Sequence, residues 1–165
     1  MMMQQEIFVK MVLDAWNAYV KRTNDVFSSL SDEELKKEIV PGRNRGIYLL
    51  GHLAAIHDKM LVILGFEKQS NEDMYRIFVE QPDKAVTELP AVSELRRYWN
   101  EVNNSLSTNF NELTPGDWFQ KHNLVSEEDF AKEPHRNKLN LVINRTNHLA
   151  NHLGQLVFLK DKLTE

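Results

Sequence analysis

The 165-residue sequence contains no cysteine. This absence excludes disulfide bonds, thiolate metal ligands and a cysteine nucleophile, and it is compatible with a reducing cytosol. A reaction that needs a thiol would therefore have to take it from a small molecule. Any metal site would have to be built from other side chains.

The sequence also lacks an excess of positive charge and a long apolar run. Its net charge of −4 gives no electrostatic footprint for a nucleic-acid backbone or an anionic membrane surface. The N-terminus MMMQQEIFVK has no basic start followed by a long apolar region, and the longest apolar run, Met60 to Phe66, is too short to cross a bilayer. We expect a cytoplasmic protein that acts on a small molecule, with no nucleic-acid or membrane partner.

The residues that are present predict a single all-α domain over 1–165. A content of 42% hydrophobic and 27% charged residues is typical of globular proteins. Apolar residues recur at spacings of three and four, and no stretch resembles a run of strands. The simplest architecture is a four-helix bundle with long crossover connections and short accessory helices. Its long helices are predicted at roughly 4–30, 47–64, 90 or 93 to 113, and 137–163.

Capping signals in the connections predict the accessory helices. Gly65 is well placed to end the second long helix, because glycine readily adopts the left-handed conformation that closes a helix. Helix starts are predicted at Ser31, where Glu34 completes a capping box, at Ser70 with an end near Phe78, at Thr114 before Pro115, and at Ser126.

The segment NHLANHLGQL in the last helix places His148 and His152 four residues apart. Because an α-helix turns once in about 3.6 residues, side chains at this spacing share a face and can reach one ion. A catalytic zinc usually has three protein ligands, so a third donor is required. On the second long helix, His52 and His57 lie on opposite edges of the apolar face, and either could point inward. His122 and His135 fall in irregular segments and are predicted to be surface residues.

Three known helical metal motifs can be compared with these segments. A zinc-protease helix needs glutamate directly after the first histidine, and Leu149 stands there. Di-iron bundles need Glu-x-x-His on two helices, and this motif does not occur. The segment HLAAIHD has a His57–Asp58 pair like that of the all-helical HD phosphohydrolases, although no suitable downstream aspartate stands out.

The segments LLGHLAAIHDKML and NHLANHLGQL together resemble the DinB/YfiT-like family of metal-binding four-helix bundles. In that family, a histidine in a GHL-like context on the second helix joins two histidines of an H-x3-H-x-GQ-like motif on the last helix. The resemblance implies that His52, His148 and His152 bind a metal, with Gly154 and Gln155 matching the end of the motif. It also implies a homodimer.

Members of that family include transferases that use a low-molecular-weight thiol such as bacillithiol or mycothiol. The resemblance therefore implies thiol transfer as the closest functional analogue, and three imidazoles would suit zinc or nickel. Arg43 and Arg45, before the second long helix, could bind an anionic thiol or could be solvated. Gln155 could orient a ligand or serve in packing.

Three hypotheses follow from the sequence. The first is an enzyme in which a divalent metal activates a thiol or water for attack on a small electrophile. The second is a non-catalytic metal-binding or structural dimeric bundle. The third is phosphate-ester hydrolysis of the HD type.

Overall fold

The computed structural model describes residues 2–68 and 70–160, and these residues form helices with no strand. This confirms the predicted all-α class. The α-helices of the described part are α1 (Met2–Ser29), α2 (Asp32–Lys36), α3 (Gly46–Leu64), α4 (Glu72–Tyr75), α5 (Val92–Glu112), α6 (Glu127–Lys132) and α7 (Lys138–Leu156). A π-helical turn continues α4 over Arg76–Glu80, and 3₁₀ turns occupy Asp117–Phe119 and Val157–Leu159.

The long helices α1, α3, α5 and α7 form the bundle, and α3 lies at its centre. Helix α3 packs against α5 and α7, while α1 packs against α7. By length and composition α3 could cross a membrane, but 78% of its apolar window is buried inside the protein. A helix that is apolar on all sides is expected to be buried, with other helices around it. We therefore assign α3 as the core helix of the bundle.

The predicted capping chemistry is largely confirmed. Ser31 and Glu34 form the reciprocal capping box that starts α2, and Ser126 accepts a hydrogen bond from the Asp129 amide at the start of α6. Gly65 ends α3 with φ of 86°, in the left-handed region.

Three predicted boundaries were wrong. The N-cap of α4 is Asn71 and not Ser70, because the Asn71 side chain accepts from the amide of Met74. Thr114 does act as a cap, since its hydroxyl accepts from the amide of Asp117, but the helix that follows is a 3₁₀ turn that begins at Asp117 and not at Pro115. Helix α7 ends at Leu156, where the backbone tightens into a 3₁₀ turn, so it is shorter than predicted. The last predicted positions, 161–163, lie outside the described residues.

His57 belongs to the core of the bundle. It is fully buried, and its ring packs between Trp16 of α1 and Trp99 of α5. Its Nδ1 lies 2.9 Å from the Oδ1 of Asn103, so Nδ1–H donates to the amide oxygen. Burial lowers the pKa of His57 from its usual 6.5 to about 4, and the hydrogen bond to Asn103 offsets this only in part. His57 is therefore neutral at pH 7.

Several large apolar side chains are exposed along α1 and α7. Ile7, Phe8 and Met11 of α1 are each more than half exposed. Ile143 of α7 lines the same groove as Phe8 and Met11. The homodimer stays a prediction.

Gly51 of α3 allows the ring of Phe78 to lie directly on the helix. A β-carbon at position 51 would overlap three ring carbons of Phe78, and Phe78 is fully buried. We predict that Gly51→Ala lowers the free energy of unfolding by about 1–3 kcal/mol, because the ring and the π-helical turn would have to move. Chemical denaturation measures this change.

Gly154→Ala is the matched control. Gly154 lies within α7, and an added β-carbon there would meet no atom within 4 Å. This substitution should raise the free energy of unfolding by about 0.5–1 kcal/mol, because alanine favours the helix more than glycine does. Equal stability of the two variants would contradict the close contact between Gly51 and Phe78.

The burial of His57 predicts acid destabilisation. Below pH 6.5 the unfolded chain binds a proton at His57, whereas the folded protein resists this until about pH 4. The unfolded state then binds more protons, so stability is lost as the pH falls through this window. The loss attributable to His57 is about 3 kcal/mol. Urea unfolding of metal-free protein at a series of pH values measures it.

His57→Gln should reduce the slope of stability against pH between 6.5 and 4 by the share of His57, since glutamine does not titrate, while the triad histidines, whose pKa values are also lowered, keep the rest of the slope. His135→Gln is the matched control, because His135 is exposed, and it should keep the wild-type slope. The interpretation fails if both variants show the wild-type slope.

Candidate metal centre

His52 projects from α3 toward the π-helical turn. Its Nδ1 lies 2.8 Å from the backbone carbonyl oxygen of Phe78. A carbonyl oxygen can only accept, so Nδ1 of His52 carries the hydrogen and donates. Nε2 of the neutral ring is then unprotonated and has a lone pair available for a metal ion.

His148 and His152 project from successive turns of α7 toward His52. Nε2 of His148 lies 3.1 Å from Nε2 of His52 and 3.2 Å from Nε2 of His152. Nδ1 of His152 lies 2.9 Å from Oε1 of Gln155, one turn further along the helix. If this Nδ1 donates to the amide oxygen, His152 also directs an unprotonated Nε2 at the common point.

The three Nε2 atoms fit a shared metal ion. Two ligands of a tetrahedral zinc, each about 2.1 Å from the ion, lie about 3.4 Å apart, close to the two distances between the nitrogens. Candidate ligand atoms of all three histidines lie within 4.8 Å of one another. Lone pairs that converge in this way repel unless a cation or a proton lies between them. This group of three histidines, the His triad, could therefore hold a metal ion.

The protonation state of the His triad suits metal binding. Burial is the main cause that lowers the pKa of His148 from its usual 6.5 to about 3, and the neighbouring His152, His52 and Arg145 contribute to this shift. Burial is also the main cause that lowers the pKa values of His52 and His152. Neutral imidazole is the form that binds metal, so no proton has to be removed from the triad at pH 7.

The chain segment after the π-helical turn is fastened to the start of α3. The Arg45 guanidinium donates to both carboxylate oxygens of Asp83, with Nη2 2.7 Å from Oδ1. The amide of Arg45 donates to the same carboxylate, and the Tyr48 hydroxyl donates to the carbonyl of Gln81 at 2.7 Å. These bonds fasten the segment that follows Phe78 to the helix that carries His52.

This ion pair corrects the expectation that Arg45 binds an anionic ligand. The Asp83 side chain is only 3% exposed, and the bidentate pair uses the guanidinium edge that a ligand would need. Arg45 therefore has a structural role. Arg43 differs, because it is exposed and lines an open pocket next to the triad.

The pocket beside the triad has a volume of about 440 Å³. His152 and Gln155 form one side of it, and its other walls are partly apolar and partly polar. A second groove, of about 390 Å³, lies between α1 and α7 and touches none of the triad histidines. Of these two, only the first pocket borders the triad. Its remaining lining residues are Ile39, Val40, Arg43, Asn44 and Phe158.

Comparison with known protein families agrees with this geometry. A family profile described as the DinB superfamily matches residues 16–156, which include all three histidines of the triad. This chain belongs to the DinB superfamily. No curated protein matches the chain.

Within this DinB protein, the His57–Asp58 pair does not contribute to the metal centre. His57 lies in the core against Asn103, and Asp58 accepts hydrogen bonds from Tyr98 and from the amide of Asn71. Asp58 is half-buried. The pair that suggested HD-type hydrolysis is thus used to hold helices together.

Sequence reasoning missed the groups that orient the DinB triad. The acceptor for His52 is a backbone carbonyl, which has no sequence signature, and it lies in a π-helical turn. Turns of this type are rare and are frequent at functional sites. Asp83 gave no signal either, because nothing in the sequence indicates that it pairs with Arg45. His122 is half-buried and not a plain surface residue, whereas His135 is exposed as expected.

The hydrogen bond from His152 to Gln155 predicts a measurable effect on metal affinity. Gln155→Leu removes the acceptor that orients the ring, and partners of this kind typically change metal affinity by about 10–100-fold. We expect a loss of about 10-fold or more for zinc, measured by competition with a chromophoric chelator. Gln155→Glu keeps an acceptor and should retain the wild-type affinity or exceed it. Wild-type affinity in the leucine variant would contradict this role for Gln155.

Proposed function

We propose that this DinB protein is a cytoplasmic, metal-dependent enzyme. In this proposal His52, His148 and His152 hold zinc or nickel, and the protein promotes attack of a low-molecular-weight thiol or water on a small electrophile. The observation that carries the proposal is the convergence of three Nε2 atoms, with the His52 ring oriented by Phe78 and the His152 ring by Gln155. Membership of the DinB superfamily supports it.

The donor set decides what chemistry would be available. Three histidine ligands leave a coordination position open, as in catalytic zinc sites. A divalent ion held there would lower the pKa of a thiol or water that enters that position. The chain has no cysteine, so a thiol would have to come from a cosubstrate. This leaves the protein to bind the reactants, orient them and exclude competing water.

The pocket supplies candidate contacts for the reactants. Arg43 has no carboxylate partner in the described residues and could bind an anionic group of the thiol. Val40 and Phe158 are exposed apolar side chains at the same pocket, and they would favour a partly apolar electrophile. His152 places the triad on the wall of this pocket, so both reactants could meet there.

Metal content tests the first part of the proposal. Untagged protein incubated with zinc or nickel and then desalted should retain about one ion per chain, because three neutral imidazoles converge on one point. His52→Ala should retain far less, whereas His135→Ala should bind like the wild type. Elemental analysis measures all three samples. If the wild-type protein binds no stoichiometric metal, both the ligand set and the proposed enzyme are wrong.

Turnover tests the second part. Metal-loaded protein should consume bacillithiol in the presence of reactive electrophiles, or hydrolyse an activated substrate, and His52→Ala should reduce the rate to the uncatalysed level. Arg43→Gln should raise the KM for the anionic thiol while leaving the metal content unchanged. Stoichiometric metal without turnover across a broad panel would instead establish a non-catalytic metal-binding bundle.

A further inference from the structure

Arg145 lies on α7 in the same stripe as two of the triad histidines. It precedes His148 by three residues and His152 by seven, and residues at these spacings share one helix face. Neighbours three apart have β-carbons separated by about 5–6 Å. The Arg145 side chain therefore begins one turn from the metal centre.

Arg145 is half-buried, and one nitrogen of its guanidinium lacks a protein partner. Its Nε is buried without a hydrogen-bond partner, and no residue in the described part of the chain forms an ion pair with Arg145. The other half-buried arginines differ. Each of these has acceptors in the structure: Asp83 for Arg45, the Phe27 and Leu30 carbonyls for Arg96, and Glu133 for Arg136.

No negative charge compensates Arg145 from the elements packed around it. The titratable groups that interact with its charge are His52 and His57 of α3, Tyr75 of α4, His122, and His148 of α7. None of these is a carboxylate. Burial lowers the pKa of Arg145, and only the charged form of Tyr75 would oppose this. A partly buried cation without an anion is costly unless a ligand supplies one.

A metal ion would increase this imbalance. The three imidazoles of the His triad are neutral, so they would leave both charges of a divalent ion uncompensated. Arg145 adds a third positive charge one helical turn away. The metal centre would then favour a ligand that brings negative charge both to the ion and to the guanidinium.

We propose that Arg145 binds the carboxylate of a small molecule whose other end reaches the His triad. A carboxylate matches a single unpaired guanidinium in charge and in planar geometry. This proposal rests on the proposed function for the metal end of the ligand. It adds that the reactant at the metal carries a carboxylate and that Arg145 selects it.

Mercaptocarboxylates provide the test. Mercaptoacetate, 3-mercaptopropionate and 4-mercaptobutyrate carry a thiol and a carboxylate at increasing separation, and 2-mercaptoethanol lacks the carboxylate. Binding to cobalt-substituted protein is followed by the sulfur-to-cobalt absorption band. The best of the three acids should lose affinity by about 10-fold or more in Arg145→Gln, because a charge-assisted hydrogen bond is removed. The affinity for 2-mercaptoethanol should change by less than about twofold.

One variant serves as the matched control. Arg97→Gln removes the same charge from an exposed position and should keep the wild-type ratio of affinities. Arg43→Gln is measured with the same ligands because Arg43 is the rival site for the carboxylate. The proposal is overturned if Arg145→Gln retains the preference for the acid, or if it lowers the affinities for the acid and for 2-mercaptoethanol equally. It is also overturned if Arg43→Gln is the variant that loses the preference.

Thermal stability distinguishes ligand binding by Arg145 from a structural role. If Arg145 binds a ligand, the free protein leaves its charge uncompensated, and Arg145→Gln and Arg145→Met should have a Tm equal to or above that of the wild type. A large fall in Tm for both would assign Arg145 to folding and overturn the proposal. Arg145→Lys keeps the charge without the planar fork and should show an intermediate preference.

Nuclear magnetic resonance of the wild-type protein separates this proposal from the metal assignment. The buried Nε–H of Arg145 gives a signal that propionate should shift, even in metal-free protein. If cobalt does not bind but the signal shifts, the proposed function fails and the carboxylate site stands. If cobalt binds but neither propionate nor 3-mercaptopropionate shifts the signal, the carboxylate site is wrong and the metal centre stands.

Discussion

The candidate metal centre depends on the hydrogen bond from Nδ1 of His52 to the carbonyl of Phe78. This bond fixes which nitrogen of His52 is unprotonated, and it joins α3 to the π-helical turn. Gly51 permits the close packing of Phe78 on α3, while the Arg45–Asp83 ion pair fastens the segment that follows. Residues outside the His triad thus decide how its member on α3 is oriented.

The electrostatics of the centre follow from what surrounds the histidines. Burial keeps all three imidazoles neutral, so they can bind a metal but cannot balance its charge. Carboxylates elsewhere in the chain are used in caps and ion pairs, as Glu34 and Asp83 are. Arg145 adds positive charge to the same helix face. An anionic reactant would therefore complete the centre better than a neutral one.

Local sequence signals predicted the fold well. The four long helices, the capping box of α2, the Ser126 cap and the glycine that ends α3 depend on contacts between residues close in sequence. Boundaries were less accurate where two caps compete, as at Ser70 and Asn71. The end of α7 was also placed too late, because a tightening of the last turn leaves the apolar pattern unchanged.

Helical periodicity by itself determined that His148 and His152 share a face, and the resemblance to the DinB family added His52 as the third member of the triad. Only the tertiary structure decided that His52 faces this pair while His57 enters the core, since both lie on edges of one apolar helix. It also decided that Arg45 is held by Asp83 while Arg145 has no carboxylate partner in the described chain. Pairings of this kind join residues dozens of positions apart, and their geometry is set by how the helices pack.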